Sequence, residues 1–144
     1  MQYFTDTQQR RWELNLTIGA LKRIKAELDI SVEDDSFITK LYTDPIFMVA
    51  VIWNIISRQA EQQAVTEEDF AEAVGGDVLG KAQEALVNEL QLFFTARGLA
   101  ANAKAVGKMQ AILSEAQKQA EAKIDSIDVQ SVIAKELSGL QSTD

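Results

Sequence analysis

Residues 11 to 16 alternate between polar and apolar positions, with Trp12, Leu14 and Leu16 interleaved with Arg11, Glu13 and Asn15 at the strand period of two. Tyr3, Phe4 and Thr5 supply a partner, so the chain is expected to open with a β-hairpin. Two strands alone are marginal in water, and this pair needs a helix over its apolar face or another chain along its edge. After Thr17, a residue suited to capping, the period becomes helical: Ile18, Leu21, Ile24 and Leu28 recur on one side while Lys22, Arg23 and Lys25 lie elsewhere. An acidic link, Glu33-Asp34-Asp35-Ser36, then leads into a short helix that starts at Ser36 and carries Phe37, Ile38 and Leu41.

Asp44-Pro45 marks a sharp helix start, because aspartate accepts from free amides and proline at the first helical position gives up no needed donor. The run from Ile46 to Ile56 is apolar on every face except at Asn54. It falls short of the roughly 18 to 20 residues that cross a bilayer, so a central buried helix is expected, with Trp53 in the core. A groove for another protein is the competing reading of Trp53 and its neighbours, since aromatic residues and methionine are favoured at binding surfaces.

Thr66-Glu67-Glu68-Asp69 has the form of a capping box and opens a short helix with Phe70, Ala71 and Val74 on its buried face. Gly75-Gly76 ends it, and Asp77 caps a further helix whose stripe is Leu79, Ala82, Leu86, Leu90 and Phe93. Beyond Arg97-Gly98 the composition shifts to Ala, Lys, Gln and Glu with a thin apolar stripe, followed by Ile124, Ile127, Val129, Val132, Ile133, Leu137 and Leu140. The expected fold is mainly α (α+β): a compact hairpin-plus-helices core over residues 1–97, with the hairpin packed on a helical bundle, and a helical C-terminal extension over 98–144.

Composition narrows the chemistry. The chain has 144 residues, no cysteine and no histidine, which removes disulfides, thiolate nucleophiles and the commonest general base and metal ligand. No cofactor, metal site or catalytic residue is expected, and an enzyme built on carboxylates alone is the least favoured class. A net charge of −8 repels phosphate backbones and anionic membranes, so neither nucleic acid nor membrane is an expected partner. The N-terminus shows no basic stretch followed by an apolar run, which makes an intracellular location the expectation.

The remaining clusters have plain readings. Glu33-Asp34-Asp35 and Glu67-Glu68-Asp69 sit where acids favour helix starts and lack the alternating ligands of a calcium loop. Gly75-Gly76-Asp77-Val78-Leu79-Gly80 lacks the lysine of a phosphate loop and reads as a helix terminator. Arg10, Arg11, Lys22, Arg23 and Lys25 read as a solvated basic face, with an acidic protein contact as the alternative.

The order of these elements resembles a known family. Phe4-Thr5-Asp6, Trp12-Glu13-Leu14-Asn15-Leu16-Thr17-Ile18, Leu21-Lys22-Arg23-Ile24 and Leu28-Asp29-Ile30 are similar to tail assembly chaperones of long-tailed phages and prophages. Asp44-Pro45, Glu67-Glu68-Asp69-Phe70 and Phe93-Phe94 continue the resemblance, which covers about residues 3–95. It implies a non-enzymatic factor in the host cytoplasm that coats the tape-measure protein before tail-tube subunits polymerise around it. Tail-tube protein and further copies of the chain are additional partners it suggests. The expected contact residues are Phe47, Val51 and Trp53 on the apolar helix and Val132, Ile133 and Leu137 near the C-terminus. The alternative is a structural virion subunit, such as a tail completion or connector protein forming a ring.

Overall fold

The computed structural model describes residues 2–126. The chain opens with an antiparallel hairpin, β1 (Gln2–Thr5) and β2 (Arg11–Leu14), in the register Phe4 opposite Trp12 and Tyr3 opposite Glu13. Phe4, Trp12 and Leu14 are buried, as the alternation requires. The turn is organised by one side chain. Buried Asp6 accepts hydrogen bonds from the Gln8 and Arg10 amides at 2.9 Å, from Arg10 Nε at 2.8 Å and from Trp12 Nε1 at 2.8 Å. Burial pushes its carboxyl up, but these donors outweigh burial and hold it below the ordinary value of 3.8.

Thr17 caps α1 (Ile18–Leu28) by accepting from the Ala20 amide at 3.1 Å, and Asp29 ends it in the left-handed region. Ile18 lies on the outside of this helix, so the expected stripe loses its first member. The next helix, α2 (Asp35–Thr43), begins one residue before Ser36 and buries Phe37, Ile38 and Leu41. Asp44 closes α2 and opens α3 (Pro45–Gln62), its carboxylate accepting from the Ile46 and Phe47 amides at 3.1 and 3.2 Å. The chain bends by 112° there, and no single helix among the described residues is long and apolar enough to cross a membrane.

Asn54 is the polar exception on α3, and its placement explains why it is tolerated. Its side-chain Nδ2 donates back to Ala50 O at 2.8 Å, and the Asn54 backbone carbonyl accepts from Arg23 Nε of α1 at 2.7 Å. Buried polar atoms are thereby paired within the α1–α3 contact. Thr66 and Asp69 form both bonds of a capping box at the start of α4 (Glu67–Glu72). Here Phe70 and Val74 are buried while Ala71 is exposed.

Gly76, with a positive φ of 57°, occupies the cap position before α5 (Asp77–Ala96), so Asp77 is the first helical residue instead of the cap. The buried stripe of α5 runs through Ala82, Leu86 and Leu90 to Phe94, whereas Phe93 is only half-buried. This helix packs directly along β1 and supplies the cover that the hairpin needs. The last helix among the described residues, α6 (Ala100–Ser126), begins inside the first compact unit, Met1–Gly107. Within that unit, Asn102 Nδ2 donates to Glu33 O at 3.1 Å and Val106 is fully buried. A second compact unit starts at Lys108.

Candidate protein-interaction site

α3 has two apolar faces with different fates. Met48, Val51, Ile52, Ile55 and Ile56 are buried. Ile46, Val49, Ala50 and Trp53, spaced at three, four and seven residues, form a second stripe that stays open. Ile46 is 81% exposed, an unusual position for a large aliphatic side chain on a helix this apolar. The expected central buried helix is therefore corrected: among the described residues, one side of its N-terminal half is only partly covered, by the short α4.

The open stripe forms one wall of a groove of about 340 Å³. Phe70, Ala71 and Val74 line it as well, together with Pro45 and Leu79 of α5. Glu67 is the one charged side chain in the lining, and no lysine or arginine is among the lining residues. Phe70 is the pivot of the arrangement. Its ring meets Trp12 edge-on at 5.6 Å and Phe4 at 6.2 Å inside the hairpin core, and it meets Trp53 at 5.8 Å beside the groove. The floor is thus anchored in the core, while Trp53 is half-buried and not sealed in the core as expected.

The other expected contact residues scatter. Val51 is fully buried on the inner face of α3, which rules out a surface role for it in this fold. Phe47 is half-buried against Phe37 at 5.7 Å, with Lys40 Nζ 5.5 Å from its ring, outside the groove. Val132, Ile133 and Leu137 lie outside the described residues. Pattern reading passed over Ile46, Val49, Val74 and Leu79. The available signal was that a helix apolar all round needs partners on every side, and the short α4 cannot cover the whole outer stripe.

Three members of the basic group are engaged within the fold. Arg10 pairs with Asp6 at 2.8 Å, Arg11 stacks 3.7 Å above the Tyr3 ring, and Arg23 is engaged by Asn54 O. Glu33 of the first acidic cluster meets Arg97 at 3.0 Å across an exposed pair. The outer edge of β2 is blocked as well: the Gln59 side chain accepts from Glu13 N at 3.0 Å and donates to Glu13 O at 2.7 Å, as a neighbouring strand would. That amide clamp occupies the strand edge, and the α3 groove remains an apolar opening. Among the described residues no three acidic side chains gather as a metal site.

Comparison with protein-family models, with curated proteins and with solved structures finds no match to this chain.

Proposed function

We propose that this chain is a tail assembly chaperone of a long-tailed phage or prophage. It binds apolar helical segments of the tape-measure protein in the host cytoplasm and shields them until tail-tube subunits close around them. The observation that carries this reading is the open stripe Ile46, Val49, Ala50 and Trp53 over the Phe70 floor, apolar surface that a self-sufficient monomer does not need. The resemblance carried by Trp12 to Ile18 and by Asp44-Pro45 supplies the kind of client.

The mechanism is reversible burial, without cofactor or catalysis. Each square ångström of apolar surface removed from water contributes roughly 25 cal/mol, reduced by the ordering costs of association. The net charge of −8 keeps the free protein and its complexes apart from one another.

Co-expression with the tape-measure protein of the same genome tests the proposal. The two should co-purify, and the chain should accompany assembling tails but be absent from finished particles. Persistence in purified particles would instead identify a structural subunit such as a tail completion or connector protein.

A further inference from the structure

We propose that the groove on α3 takes a basic amphipathic helix, one that inserts apolar side chains against Ile46, Val49 and Trp53 and presents lysine or arginine to the acidic rim. This deepens the chaperone reading and rests on it for the identity of the client alone. The groove itself is argued from its shape and charge.

Two observations select this occupant. The walls accept apolar side chains spaced at a helical period, because the open residues of α3 themselves recur at that period and a facing helix interdigitates with them. The rim selects the sign of charge. Glu67 lines the groove, Glu68 follows it, and Asp77 begins α5 two residues before the lining residue Leu79.

All three carboxylates are exposed. The ion pairs among the described residues are Arg10–Asp6 and Arg97–Glu33, so none of the three has a cationic partner. Asp44 and Asp69 are different, because their oxygens already accept helix-capping amides. An incoming cation therefore meets the Glu67 carboxylate on the α4 side of an otherwise apolar channel, with the exposed Glu68 and Asp77 close in sequence to lining residues. A second copy of this chain is the less suitable occupant, since each copy carries a net charge of −8 and the two repel.

The test titrates the full chain, by calorimetry, with two synthetic helical peptides of identical leucine spacing, one flanked by lysines and the other by glutamates. The lysine peptide should bind, and the glutamate peptide should bind at least about tenfold more weakly. Ile46→Asp should weaken the lysine peptide about tenfold or more without changing the melting temperature, since Ile46 is already exposed. Glu67→Lys combined with Glu68→Lys should reverse the preference.

Equal affinity for both peptides, or indifference to Ile46→Asp, would overturn the assignment. A self-dimer in sedimentation that Ile46→Asp dissolves would also overturn it, in favour of a second copy. Capture of the tape-measure protein that survives Ile46→Asp would sink the groove and leave the chaperone function standing. Peptide binding that follows the predicted pattern, with no tail protein captured, would do the reverse.

Discussion

Two tryptophans meet Phe70 at nearly the same distance, Trp12 at 5.6 Å and Trp53 at 5.8 Å, and the structure treats them in opposite ways. Trp12 is fully buried and its indole N–H donates to Asp6, whose carboxylate is itself held by the turn around it. Trp53 is half-buried against the same ring and lines an open groove. Sealing an aromatic side chain demands a partner for its polar atom, and the hairpin turn provides one. Leaving one partly open sacrifices stability unless something else covers it. The contrast separates residues that hold the fold from residues available to a partner.

The largest expected effect is Trp12→Ala. It removes a fully buried indole and leaves the buried Asp6 carboxylate without one of its donors, so a loss of about 4 kcal/mol or more is expected in denaturant unfolding. Trp53→Ala should cost about 1 to 2 kcal/mol, because only part of its surface leaves water on folding. Comparable losses for the two would erase the distinction between a sealed and an open side.

Truncation sharpens the boundary of the holding region. A chain ending at Gly107 should keep a cooperative transition, whereas one ending at Arg97 also loses the fully buried Val106 and the Asn102–Glu33 bond. The difference should be about 2 to 3 kcal/mol. Equal stability of the two would remove the start of α6 from the packed unit.

Asp6 makes the comparison visible in pH. Its folded carboxyl lies below the ordinary 3.8, so it stabilises the fold at pH values above 3.8, and that contribution disappears as pH falls through the lower folded value. Asp6→Asn should lower stability at neutral pH and flatten the acid limb of the stability curve. The smallest effect on stability belongs to Ile46→Asp, within about 0.5 kcal/mol of the parent, the range for exposed sites. A large loss there would mean that the stripe is covered within the chain after all.

Much of the fold was legible in sequence because its signals are local. The alternation around Trp12, the Thr17 cap, the Asp44-Pro45 start and the Thr66–Asp69 capping box each depend on residues within a few positions of one another. The buried end of α5 shifted from Phe93 to Phe94 because a one-residue choice between adjacent apolar side chains depends on the packing partner, which periodicity does not contain. Asp6 was passed over for a related reason: one carboxylate in a turn looks like any solvated turn residue until the hairpin brings Trp12 above it.

By itself, the sequence determined the hairpin, the starts of α1, α3 and α4, the absence of histidine and cysteine chemistry, and the acidic balance. These follow from backbone preferences, from short-range hydrogen bonds and from composition. Only the tertiary structure decided which apolar face of α3 stays open. Residues 46 to 56 are apolar nearly all round, so the helix carries no internal mark of inside and outside. Burial of Val51 and exposure of Ile46 are set by where α1, α2 and the short α4 pack, and six residues of α4 are too few to close the second face.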